Sequence, residues 1–138
     1  MIGPLAKISD SELPKAKNIY YLGMKSYEQL SAYLRGFDIA MMPFALNDAT
    51  KYISPTKTLE YMAAAKPIIS TKITDVVRDY SSCVSFADDA PEFCNAIAEL
   101  LRTKDGLSMQ MDYYEILKKT SWDATAASMK TLVKNFAK

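Results

Sequence analysis

Residues 39–70 read Ile39-Ala-Met-Met-Pro-Phe-Ala-Leu-Asn-Asp-Ala-Thr-Lys-Tyr-Ile-Ser-Pro-Thr-Lys-Thr-Leu-Glu-Tyr-Met-Ala-Ala-Ala-Lys-Pro-Ile-Ile-Ser70, and they hold three elements in a row. Ile39 to Phe44 is a nearly continuous apolar run, as expected of a strand buried on both faces of a parallel sheet. Residues 45–54 are polar and read as a loop. Ser54 is placed to cap a helix whose first turn holds Pro55, where the missing N–H costs nothing. That helix runs through Leu59, Met62 and Ala63 to about Ala65, and Pro67 to Ser70 is the next short strand.

The pattern continues in both directions. Upstream, Met1-Ile-Gly-Pro4 reads as the end of a strand entering a turn, and residues 5–17 as a loop with one helical turn. Asn18-Ile-Tyr-Tyr-Leu22 is a β-branched and aromatic run stopped by Gly23, hence a strand. Ser26 and Gln29 have capping-box spacing before a helix whose apolar stripe is Tyr27, Leu30, Leu34 and Phe37, with Gly36 as its stop. Downstream, Asp75 to Tyr80 reads as a short helix and Cys83 to Phe86 as a strand. Asp89 and Glu92 open a helix with Phe93, Ile97, Leu100 and Leu101 on one face. Residues 107–119 look helical, with Met111, Tyr114, Ile116 and Leu117 less cleanly patterned. A last helix from about Asp123 is expected to bury Ala126, Met129, Leu132, Val133 and Phe136, with Trp122 as its anchor. Strands alternating with helices at this spacing predict an α/β fold, a Rossmann-like parallel sheet with helices on both faces.

Composition narrows the chemistry. The 138 residues are enough for one domain, 49% apolar and 24% charged, as in ordinary globular proteins. A net charge of +1 with scattered lysines sets up no field for nucleic acid. The two cysteines, Cys83 and Cys94, lack metal-ligand spacing and read as buried or half-buried free thiols. The absence of histidine excludes Ser-His-Asp and Cys-His nucleophile systems within the chain. No apolar run reaches the ~20 residues of a membrane helix, and the opening residues do not read as a secretory signal.

In an open parallel sheet, ligands gather at the carboxyl ends of the strands. Three loops should meet there: Gly23-Met24-Lys25, Phe44 to Ser54, and Ser70 to Thr74. The helix start Ser54-Pro55-Thr56-Lys57 offers N–H groups, hydroxyls and a cation to a phosphate, and Glu60, on the same face as Lys57, could accept from a ribose diol. The same residues equally fit an ordinary helix start with a Lys57–Glu60 surface pair worth about 0.3–0.5 kcal/mol. Tyr20, Tyr21, Tyr27 and Tyr33 read as packing residues, and Met41 and Met42 as strand core.

The segment Ser54 to Ser70 resembles the donor-site signature of group 1, family 4-like glycosyltransferases of the GT-B fold. That signature runs S-P-x-K-x-x-E-Y-x-A-x-G-K-P, then two Val or Ile residues, then Ser or Thr. The likeness extends outward through Asn18 to Gly23, Tyr27 to Leu34, Phe37 to Phe44 and Ser121-Trp122-Asp123. It implies the donor-binding, C-terminal half of a two-domain hexosyltransferase. Such an enzyme moves a sugar from a nucleoside-diphosphate sugar to an acceptor, with retention and without a metal or other cofactor.

By the same resemblance Glu60 matches the glutamate that holds the donor ribose, and Ser54, Pro55, Thr56 and Lys57 the helix start facing the diphosphate. Met24 and Lys25 follow the strand whose end meets the nucleobase, and Asn47 and Thr50 lie in the loop near sugar and phosphates. Many relatives carry a second glutamate where this chain has Tyr52, and Gly where it has Ala65. The resemblance further implies a first strand, a helix and an acceptor domain preceding residue 1 in the parent protein. It also implies a cytoplasmic location, peripheral at the inner face of the membrane, and a role in surface polysaccharide assembly. The fragment alone is expected to be inactive and to pair through the face those segments would cover. The rival readings are a non-catalytic nucleotide- or phosphate-binding domain of this fold, a response-regulator-like module and a dehydrogenase-type dinucleotide fold. The second lacks an acidic cluster at the strand ends, and the third lacks a G-x-G-x-x-G motif among only four glycines.

Overall fold

Three short strands, β1 (Ala40–Met42), β2 (Ile68–Ser70) and β3 (Ser85–Phe86), lie side by side in the order β1-β2-β3, and both pairings are parallel. In register, Ala40 faces Ile68, Met42 faces Ser70, and Ser70 faces Phe86. The computed structural model describes residues 1–103 and 106–136. The chain divides into two compact units, Met1–Gly36 and Phe37–Lys138, and the sheet belongs to the second.

In the second unit each crossover between strands is a helix, α2 (Lys57–Ala63) after β1 and α3 (Thr74–Tyr80) after β2. Three longer helices follow β3: α4 (Ala90–Arg102), α5 (Gly106–Lys119) and α6 (Trp122–Phe136). Alternation along the strands divides the core in two. Met42, Ile68 and Val84 pack with Met62 of α2, Val76 of α3 and Tyr113 of α5 on one face. Ile69 and Ala87 pack with Phe93 of α4 on the other, and Ile39, Ala96, Ile97 and Leu100 lie against them. The sheet is therefore covered by helices on both faces, the α/β arrangement that the alternating pattern predicts.

The helix ends follow their sequences. Asp89 accepts the Glu92 N–H at 2.9 Å, and Glu92 reaches back to the N–H of Asp88 at 2.8 Å, one residue earlier than a standard capping box. At the end of α2 the N–H of Lys66 bonds the carbonyl of Tyr61 and that of Ala65 bonds Met62, the paired bonds of a Schellman motif. This geometry requires a left-handed residue, and Ala65 supplies it at φ 53°, where glycine would sit without strain.

The first unit has one 3-10 turn (Asp10–Glu12), the helical turn expected in residues 5–17, and one helix, α1 (Tyr27–Arg35). The Gln29 side chain accepts the Ser26 N–H at 3.0 Å, as the capping spacing predicts. The strands predicted at residues 1–4 and 18–22 do not form. The two segments share backbone bonds from Leu22 to Met1 (2.9 Å) and from Gly3 to Gly23 (3.0 Å), too few for a ladder. An isolated pair of this kind is marginal without apolar cover, and no residue of this unit is buried.

Other expectations need correction. Tyr20 and Tyr27 are mostly exposed and Tyr21 and Tyr33 partly so, instead of forming a core. Met42 is buried as predicted, but Met41, on the opposite face of β1, is 45% exposed. Cys94 is exposed and Cys83 half-buried, both free thiols. Most consequentially, α6 forms but buries nothing. Trp122, Met129, Leu132, Val133 and Phe136 are all exposed, because the described helices that cover the sheet are α2 to α5.

Candidate functional site at the strand ends

The carboxyl ends of β1 and β2 are stitched together by buried hydroxyls. Ser70 donates to the carbonyls of Thr71 (2.8 Å) and Met42 (3.3 Å), and Thr71 donates to the carbonyl of Phe44 at 2.9 Å. These bonds satisfy polar groups that the core would otherwise strand, and they hold the loop after β2 against the loop after β1.

The loop after β1 is closed on itself. Asn47 Oδ1 accepts the N–H groups of Ala49 (3.0 Å) and Thr50 (3.1 Å), an Asx turn. Thr50 Oγ1 donates to the carbonyl of Ala45 and accepts the N–H of Asn47 at 3.0 Å. Asn47 and Thr50, singled out as donor contacts, thus spend much of their hydrogen-bonding capacity on the shape of their own loop. With Asp48, Lys51, Lys72 and Thr74 they border an open cleft of about 290 Å³.

The start of α2 lies beyond the lining of that cleft. Ser54, Thr56, Lys57 and Glu60 are exposed and Pro55 half-buried. The expected Ser54 cap does not form. Thr56 takes the capping position with helical dihedrals, and no side chain caps the helix. The backbone turn begins early instead, with Thr58 N–H bonding the carbonyl of Pro55 at 3.2 Å. Among the described residues no ion pair joins Lys57 to Glu60, so the surface-pair reading has no geometric support. Glu60 does act on its neighbour: burial, and secondarily the Glu60 charge, push the Tyr61 hydroxyl above the ordinary tyrosine range.

Met24 and Lys25 belong to the first unit, just after Gly23, whose φ of +66° is a left-handed position. Met24 is 77% exposed, and Lys25 Nζ lies 5.6 Å from the centroid of the Tyr33 ring. The structure thus groups Asn47 and Thr50 at the cleft, and separately Ser54 to Glu60 on the first turns of α2.

At the cleft the predicted Asn47 and Thr50 are joined by six residues that the site prediction did not include: Leu46, Asp48, Lys51, Lys72, Ile73 and Thr74. The signal was the place of these residues in the segments that follow two adjacent strands. The hydrogen bond to Asp88, and then the charge of that carboxylate, hold the Lys72 ammonium above the usual lysine range. Among the described residues no group of three or more His, Cys, Asp or Glu could hold a metal ion, and no helix is long and apolar enough to cross a membrane.

Comparison with known proteins extends the geometry. The putative teichuronic acid biosynthesis glycosyltransferase TuaH of Bacillus subtilis (strain 168) is 28% identical over 75 residues, which cover 52% of this chain and 19% of that protein. The match spans less than a fifth of the relative's length. No solved structure gives a significant match. The family model described as glycosyl transferases group 1 matches residues 2–103, a span that includes the cleft, the start of α2 and the Gly23 loop. The chain belongs to the group 1 glycosyltransferase family.

Proposed function

We propose that this chain is the donor-binding part of a glycosyltransferase that moves a sugar from a nucleoside-diphosphate sugar to an acceptor held elsewhere in the parent protein. The observation that carries the reading is the family match across residues 2–103, which takes in the whole Ser54–Glu60 segment. The open start of α2 supports it, because uncapped N–H groups beside Lys57 suit the charge that builds on a leaving diphosphate. With that charge met by dipoles and a lysine, a metal is dispensable, in keeping with retaining, metal-independent transfer. Glu60 binds the ribose and does not catalyse, Ser54, Pro55, Thr56 and Lys57 face the diphosphate, and Met24 and Lys25 meet the base. Asn47 and Thr50 act indirectly, by fixing the loop that borders the sugar. The relative's assignment to teichuronic acid biosynthesis supports a polysaccharide as the end product.

Calorimetric titration of the chain with UDP and with GDP tests this. Saturable binding of one nucleotide, weakened at least tenfold in Glu60→Ala, is the expected result and names the base. Binding that Glu60→Ala leaves unchanged would remove Glu60 from the ribose. Binding of neither nucleotide by the full-length parent would overturn the proposal.

A further inference from the structure

The cleft at the strand ends has an even balance of charge. Asp48 and Lys51 come from the loop after β1 and Lys72 from the segment after β2, and the Lys72 ammonium is paired with Asp88. Two carboxylates thus stand with two ammonium groups, a set with no net pull on an anion. Lys51 also lies 5.5 Å from the centroid of the Tyr52 ring, outside the lining. Asp48 is exposed and, among the described residues, makes no ion pair. A carboxylate only accepts hydrogen bonds, so it suits a hydroxyl and repels a phosphate or a second carboxylate. Thr74, exposed at the same cleft, can both donate and accept. Acceptors and donors side by side match sugar hydroxyls, whereas a diphosphate calls for donors alone.

Size and position agree with one ring. The cleft is about 290 Å³, below the roughly 300–1,000 Å³ of sites that enclose a whole drug-sized ligand. It therefore takes one part of a nucleotide sugar. The start of α2, assigned above to the diphosphate, is outside the lining but near it: Lys51 and Ser54 are three residues apart, at most about 11 Å of chain. A phosphate at α2 thus leaves its attached sugar within reach of the cleft.

We propose that the donor sugar is an uncharged one and that Asp48 determines this specificity, accepting hydrogen bonds from sugar hydroxyls in the cleft. The inference rests on the donor-binding reading above and adds to it the class of sugar and the residue that selects it. An acidic sugar in the same place would set its carboxylate against Asp48, in a cleft whose Lys72 is already paired.

Calorimetric titration of the full-length parent with UDP, UDP-glucose and UDP-glucuronate tests this, or with GDP, GDP-mannose and GDP-mannuronate where guanine is the base. Each sugar pair differs only by a carboxylate. The neutral-sugar donor should bind at least about fivefold tighter than the acidic one. Asp48→Ala should weaken the neutral-sugar donor about tenfold and leave the bare nucleotide within about twofold. Asp48→Asn keeps an acceptor and drops the charge, so it should bring the acidic-sugar donor to within about twofold of the neutral one. An unchanged affinity in Asp48→Ala, or an equal loss for nucleotide and nucleotide sugar, would overturn the proposal while leaving donor binding intact. Tighter binding of the acidic sugar would make Lys51 and Lys72 the readers and overturn it as well. Binding of no nucleotide at all would overturn the donor-binding reading itself, and this inference with it.

Discussion

The two ends of helix α2 are built for different purposes. At its carboxyl end the backbone closes in a Schellman motif, and the Tyr113 hydroxyl of α5 donates to the carbonyl of Lys66 at 3.1 Å. Met62 and Tyr113 there are almost fully buried. At its amino end no side chain caps the helix, and Lys57 and Glu60 are exposed and, among the described residues, form no ion pair. One short helix thus joins an end held by tertiary contacts to an end that is exposed and closed only by its own backbone turn. The first end is held within the fold, and the second is the end that the proposed donor would meet.

The sharpest way to break this contrast is at Tyr113. Its ring fills the space between α2, α5 and the sheet, and its hydroxyl also reaches the carbonyl of Cys83 at 3.3 Å. Burial pushes this hydroxyl well above the ordinary tyrosine range. Tyr113→Ala should cost about 3–5 kcal/mol in urea unfolding, the range for removing a buried aromatic. Tyr113→Phe keeps the ring and should cost only about 1 kcal/mol. Similar losses for the two variants would mean that the hydroxyl, not the packing, secures the carboxyl end of α2.

The next effect is smaller and of opposite sign. Ala65 holds φ 53° in the motif that ends α2. Ala65→Gly relieves the clash of Cβ with the carbonyl, a gain partly offset by the freedom glycine has in the unfolded chain. The net expectation is about 1 kcal/mol of added stability, read as a higher urea midpoint at unchanged slope. No gain would show that the carboxyl end is set by tertiary packing alone.

This contrast was legible in the sequence to different degrees at the two ends. Ala65 stood out as a residue in a glycine position, and the Ser54–Glu60 segment as the probe of function. Tyr113 did not stand out, because the adjacent tyrosines 113 and 114 and the loose pattern from Met111 to Leu117 left the inward face ambiguous. The structure resolves it: Tyr113 is 1% exposed and Tyr114 62%. The three strands of the sheet were readable because Ile39 to Phe44, Pro67 to Ser70 and Cys83 to Phe86 are mainly apolar runs. The run 18–22 has the same local character, but no residue of its unit is buried and it forms no ladder, an outcome that no local pattern encodes. The stripe of α6 predicted a buried face for the same reason: periodicity tells which side of a helix seeks cover, not whether cover is there. The cleft residues Lys51, Lys72 and Thr74 escaped because two are ordinary loop residues and the third an ordinary helix start until Ser70 and Thr71 draw the two strand ends together.

The smallest expected effect on stability is the most informative about the amino end of α2. Lys57 and Glu60 are exposed and make no ion pair with each other, so neither desolvation nor pairing is at stake when they are removed. Loss of Lys57 even removes a cation from the positive end of the helix dipole, a small gain, and loss of Glu60 a small cost. Lys57→Ala and Glu60→Ala should therefore each lie within about 0.5 kcal/mol of the parent chain in urea unfolding. If either variant loses more than about 1 kcal/mol, that residue supports the fold, and the division of α2 into a structural end and a ligand end fails. If both are neutral in unfolding yet weaken nucleotide binding, the amino end is exposed because a ligand completes it.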